Sequence, residues 1–226
     1  NYPARRIDPS LNYNLARARI VARYAGISAK AAMDWLTRTE KKAPASLKSS
    51  FQYGRALVHL DNNELDEANT ILQSLIQQQP DNNFYLDAMS DLYIAQKKAG
   101  EAEKMLQKAL KSKPNNAVLT INYANALMKQ DKNAEAVRVL QRYTHDNPND
   151  VNGWHLLSEA SIHLGRSDED LAARAEILAL KANWNKAIQY YTQASQLAEL
   201  GSLKQARYDA RIDQLMVQRD RFMALQ

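Results

Sequence analysis

Four histidines and a few paired acids are the residues whose types could do chemistry in this 226-residue chain. His59, His145, His155 and His163 could bind a transition metal or move a proton near neutral pH. None lies in an HExxH pattern. His155 and His163 are separated by two helical turns, too far to share one metal without outside ligands. Asp87 and Asp91, or the run Asp168, Glu169 and Asp170, have a spacing that acid–base catalysis could use on a helix. A solvated helix face explains these acids at least as well. There is no cysteine, which excludes disulfides and thiolate metal sites. Six glycines hide no phosphate-binding loop, and no GxSxG elbow occurs. These residues give no reason to expect an enzyme, a cofactor or a metal in this chain. Function has to come from a surface, so the elements that build it decide the question.

The elements are helices. Hydrophobic residues make up 45% and charged residues 24%, the range of a folded chain. Gly and Pro are scarce at six each, too few for a sandwich or barrel. No stretch approaches the roughly 20 apolar residues of a membrane span. Asn1-Tyr2-Pro3 does not open a signal peptide, which needs a charged and then an apolar segment. The net charge of +5 is mild. Its arginines gather towards the ends, at Arg5, Arg6, Arg17, Arg19 and Arg23 and at Arg207, Arg211, Arg219 and Arg221. Basic and aromatic residues do not alternate on one face, so a nucleic-acid partner is not expected. Solvated, end-capping faces are the expected role of these arginines.

Internal repetition sets the fold. Pro80, Pro114 and Pro148 follow one another at 34-residue intervals. Twelve residues before each stands Ala68, Ala102 or Ala136, and eight before each stands Leu72, Leu106 or Leu140. The small residues Ala56, Ser90 and Ala124 recur 24 residues ahead of the prolines. Such marks belong to tetratricopeptide repeats, in which each unit is two antiparallel helices. Small residues let the helix backbones approach, leucine continues the same face one turn on, and proline ends the second helix. Asp81-Asn82-Asn83, Asn115-Asn116 and Asn149-Asp150 offer N-caps to the helices that follow. Ala32, Leu36 and Pro44 keep the offsets upstream, with an irregular join to the next unit. The expectation is one all-α domain over 1–226, a tetratricopeptide-repeat superhelical solenoid of about ten or eleven helices. Its repeats fall near 9–44, 49–80, 83–114, 117–148, 151–181 and 168–199, with a capping helix at 202–224. The helix near Asp168 to Lys181 closes one unit and opens the next.

In this repeat family the first helix of each pair lines a groove. Counting from the prolines places Tyr53 and Leu57 there, then Phe84, Asp87, Asp91 and Ile94, then Val118, Ile121, Asn125 and Met128. Asn152, His155, Glu159 and Ile162 follow, beside Trp154. The set mixes apolar anchors with groups that hydrogen-bond a peptide. The lysine and asparagine clamp of chaperone-binding members is missing, since the corresponding positions hold Tyr53, Asp87, Ile121 and His155. Asp87, Asp91 and Glu159 would repel an acidic ligand, so an extended neutral or basic segment is expected. A second candidate is the rim where Tyr143 and His145 end a helix: Tyr143 as joint packing, His145 as an exposed contact.

Several strings are more specific. Gln52-Tyr53-Gly54-Arg55-Ala56-Leu57, Gly153-Trp154, Leu171-Ala172-Ala173-Arg174-Ala175-Glu176 and the segment from Gly201 to Leu215 resemble the C-terminal part of the periplasmic β-barrel assembly-enhancing proteases of Gram-negative bacteria. The resemblance implies a tetratricopeptide domain that follows a zinc metallopeptidase domain. The HExxH zinc motif belongs to that other domain, so zinc is expected only there. The implied partners are the outer-membrane barrel-assembly machinery, immature outer-membrane proteins and the chain's own protease domain, whose cleft it would help restrict. A chaperone-like role in the periplasm is implied. A free-standing scaffold in a cell-envelope complex is the alternative.

Overall fold

The computed structural model describes residues 10–224. Arg5, Arg6 and Pro9 lie outside them. Twelve α-helices are present among the described residues, with no strand. The chain divides into two compact units, Asn1–Ala109 and Leu110–Gln226.

The first unit contains α1 (Leu11–Arg23), α2 (Ala29–Glu40), a short 3-10 turn (Ala45–Leu47), α3 (Lys48–Asp61), α4 (Leu65–Gln78), α5 (Asn83–Ala95) and most of α6 (Ala99–Ser112). The 3-10 turn sits at the irregular join after Pro44. Helix α1 packs on both α2 and α3, and α4 packs on α3 and α5. The second unit contains α7 (Ala117–Met128), α8 (Asn133–Asp146), α9 (Val151–His163), α10 (Ser167–Leu180), α11 (Trp184–Leu197) and α12 (Leu203–Met223). Here each helix packs on the next, and α7 also meets α9. Twelve helices exceed the expected ten or eleven. The ends of the chain, where the repeat marks are degenerate, still form the complete helices α1, α2, α11 and α12.

The repeat marks have the environments their sizes require. Ala56, Ala124, Ala68, Ala102 and Ala136 are all fully buried, and so are Leu72, Leu106 and Leu140. Burying each leucine is worth about 1.5–3 kcal/mol. The side chains of Asn82, Asn116 and Asp150 accept the N-capping bonds of α5, α7 and α9. The turn inside each pair is also periodic. Asn63, Lys97, Asp131 and Gly165 all adopt positive φ, between 59° and 67°. The backbone N–H that follows each of them then bonds back to a carbonyl in the last turn of the helix, as in Glu64 to His59, Lys98 to Tyr93, Lys132 to Leu127 and Arg166 to Ser161. Helix α10 ends in the same turn: Ala182 has φ 56° and the Asn183 N–H bonds the Leu178 carbonyl. It is therefore bounded on both sides by the turn that elsewhere joins the two helices of one pair.

The fifth pair departs from the alanine rule. Ser158 and Asp170 stand where the earlier repeats have Ala124 and Ala136. The Ser158 hydroxyl donates to Asp170 Oδ1 at 2.5 Å, and Arg174 Nε donates to the same oxygen at 2.8 Å. Asp170 is buried, and these bonds offset its desolvation. A polar contact thus replaces the apolar one at the same close approach.

Candidate functional site

In the first unit the expected groove residues are largely covered. Tyr53 and Leu57 are fully buried and Asp87 is nearly so, which corrects their placement on an open surface. The cause is α1, which packs against α3 and sends two arginines over the same face. Arg19 bonds Asp87, and Arg23 bonds Asp91 at 2.9 Å and Asp61 at 3.1 Å. Tyr53 packs edge-on against the ring of half-buried Phe84, with centroids 5.9 Å apart. Burial pushes the Asp91 carboxyl above its usual range, and neighbouring Asp87 adds to the push, while Arg23 and Arg19 oppose it. Burial likewise raises the Tyr53 hydroxyl. Two of the acids expected to repel an acidic ligand, Asp87 and Asp91, are thus paired with the chain's own cations. Arg19 and Arg23 are not simply solvated end caps either. The guanidinium of Arg17 lies 4.8 Å from the Trp35 ring centre.

The second unit keeps an open groove. Its volume is about 490 Å3, and α9, α10 and α11 build it. Helix α9 is capped by Asp150, whose side chain accepts the Asn152 N–H at 2.9 Å and the Tyr143 hydroxyl. That cap fixes the helix so that His155, Glu159 and Ile162, all exposed, face the groove together. The floor is apolar: Ile177, Leu178, Tyr190 and Ile162. His155, Ser158, Glu159 and Arg174 supply the polar groups, and Asp170 anchors two of them, Ser158 and Arg174. Such a mixture can grip an extended chain: apolar side chains enter the floor while its backbone bonds the polar groups. Asn152 is exposed one turn before His155 but does not line the groove. On neighbouring α7, Ile121 and Asn125 are half-buried, and Ile121 packs into the core. Tyr143 is buried and packs the joint: a Cβ at Gly153 would meet its ring at 2.8 Å. His145 is exposed and outside the groove.

Arg174, Ile177, Leu178 and Tyr190 were not among the residues singled out by repeat counting. The signal was present in the double role of the Asp168–Lys181 helix. A helix that opens a new unit presents its own side chains to the groove. Among the described residues, no three His, Asp or Glu side chains gather where they could hold a metal. No described helix is long and apolar enough to cross a membrane.

Helix pairs with recurring small residues at their close approaches, and a partly apolar groove between pairs, define a tetratricopeptide-repeat protein-interaction module. The tetratricopeptide repeat description matches residues 93–160 and 50–82. The crystal structure of TTC0263, a thermophilic tetratricopeptide protein of Thermus thermophilus, aligns with a TM-score of 0.63 at 19% identity, covering 83% of this chain and 100% of that one. A MamA structure from Desulfovibrio magneticus RS-1 aligns at 0.55 with 12% identity, covering 77% of this chain and 98% of that one. At those identities the likeness is one of fold.

Over nearly its whole length the chain matches the tetratricopeptide part of proteins named β-barrel assembly-enhancing protease. A Vibrio cholerae serotype O1 protein, provisionally named a beta-barrel assembly-enhancing protease, is 68% identical over 225 residues, 100% of this chain and 46% of that protein. The beta-barrel assembly-enhancing protease of Escherichia coli K12 is 40% identical over 216 residues, 96% of this chain and 44% of the relative. The chain thus spans about half the length of the curated relatives it matches. The tetratricopeptide fold is not itself catalytic, so this part carries no reaction.

Proposed function

We propose that this chain is the partner-capturing module of a periplasmic β-barrel assembly-enhancing protease. In this reading it recruits the barrel-assembly machinery and immature outer-membrane proteins, and packs against its own protease domain to help restrict that domain's cleft. Zinc belongs to the protease domain, not to these helices. The family relation supports the setting, and the groove of α9 to α11 carries the mechanism. An unfolded barrel segment is an extended chain with alternating apolar and polar residues. The apolar floor suits one set of side chains, and His155, Glu159 and Arg174 suit the other set and the backbone. The helices are ordered before the ligand arrives, so most of the ordering entropy falls on the ligand.

The test is capture of purified barrel-assembly components and an unfolded barrel protein by this chain. Ile162→Glu and Tyr190→Ala should each weaken capture about tenfold or more, because each spoils apolar contact on the groove floor. Undiminished capture by both variants would move the site elsewhere. Capture only by the longer protein would assign it to the other domain.

A further inference from the structure

A second concavity in the same unit has a different character. It lies between the chain after Leu110, helix α7 and helix α8, and its volume is about 720 Å3. Leu110, Pro114, Val139 and the rings of Tyr123 and Tyr143 form its apolar walls. Arg138 and Arg142 supply its charge. It shares no residue with the groove of α9 to α11.

These two arginines stand apart from the others of the described helices α1 to α11. Arg19, Arg23, Arg55, Arg166 and Arg174 are ion-paired, Arg17 stacks on Trp35, and Arg38 bonds a backbone carbonyl. Arg138 and Arg142 are exposed, and no carboxylate of the described residues comes within 4.0 Å of either guanidinium. Asp146, at the rim of the same pocket, pairs with neither. The two lie one helical turn apart on α8, where like charges repel each other in the absence of an anion. The Asn115 side chain, exposed on the opposite wall, adds an amide.

We propose that this pocket docks an acidic segment of a partner protein, separately from the groove. Charge complementarity selects the ligand: two planar guanidiniums with free donors, set against apolar walls, fit carboxylates flanked by apolar residues. Spacing refines it. Side chains one turn apart on a helix are separated by roughly 5–6 Å. Carboxylates two residues apart on an extended chain are separated by about 6.6 Å and point to the same side. The occupant is therefore an extended segment with acidic residues at alternate positions. The pocket thus accepts the acidic ligand class that the acids of the inner face were expected to repel.

The probe is a fluorescein-labelled peptide alternating glutamate with leucine and phenylalanine, titrated by the whole chain and read as anisotropy. Binding should weaken as salt rises from about 20 mM to about 300 mM, since the charges are exposed. The Arg138→Gln/Arg142→Gln double variant should bind at least about tenfold more weakly, with its melting curve unchanged. Arg207→Gln/Arg221→Gln removes the same charge from exposed, unpaired arginines of α12 and should bind as the parent does. A peptide with lysine in place of glutamate should not bind. Equal binding by the two double variants would overturn the proposal, as would dissociation constants above a millimolar at low salt. Preference of the Arg138–Arg142 pair for oligothymidylate over the acidic peptide would also overturn it, in favour of a nucleic-acid site.

Discussion

Ala136→Leu tests the packing that underlies both sites. Ala136 has no exposed surface and shares a core with Ala124, Leu127, Leu140, Leu157 and Ala160. Leucine adds three carbons. With room for them, the added burial would be worth about 0.8 kcal/mol per carbon. There is no room where two helices approach at an alanine, so that gain is forfeited and the helices must separate or a rotamer must strain. The expected loss is about 1–3 kcal/mol. If the second unit, Leu110–Gln226, melts cooperatively, that loss lowers its melting temperature by about 4–12 °C. Urea denaturation followed by circular dichroism measures it. Ala134→Leu is the control, since Ala134 is exposed on the same helix and leucine there should change little. An unchanged midpoint for Ala136→Leu, or an equal loss at both positions, would refute the close-approach argument.

Two further outcomes follow from the turns and the ion pairs. Ala182 holds φ 56°, where an L side chain is strained by about 1–2 kcal/mol, and glycine returns part of that gain as unfolded-chain entropy. Ala182→Gly should stabilise the chain by about 0.5–1 kcal/mol, and a lowered urea midpoint would count against the assigned turn. Lys204 bonds Asp168 and Glu169 at 2.9 Å and ties α12 to α10. Although burial opposes it, the ammonium of Lys204 lowers the Asp168 carboxyl, and both carboxylates raise Lys204 above its ordinary 10.5. A lowered carboxyl stabilises above its unfolded value of about 3.9 and loses that contribution as pH falls through the folded value. A raised ammonium stabilises below 10.5 and loses its contribution as pH rises through the folded value. The melting difference between the parent and Lys204→Met should therefore be widest from about pH 5 to pH 9 and shrink on both sides. A difference independent of pH would point to packing alone.

The repeat was legible because its marks are local consequences of geometry. Three helix pairs close on the small residues Ala68, Ala102 and Ala136, prolines follow their second helices, and Asn82, Asn116 and Asp150 cap the helices that come next. Those features are local, so the chain's order displays them. His155, Glu159 and Ile162 were readable for the same reason, as one face of one helix.

What covers a face is a different kind of fact. The period placed Tyr53, Leu57 and Asp87 on the groove side, yet α1 lies over that side, and its Arg19 and Arg23 reach acids 68 residues away. Charge pairing at that separation leaves no periodic trace, because attraction depends on distance in space and not on order along the chain. The same holds for Arg174 and Tyr190, which meet α9 only once α10 and α11 have packed, and for Arg138 and Arg142, whose lack of a partner shows only when every neighbour is in place. Sequence determined the class of fold and the faces of its helices; tertiary packing decided which faces stay open, because closure depends on neighbours that local periodicity does not specify.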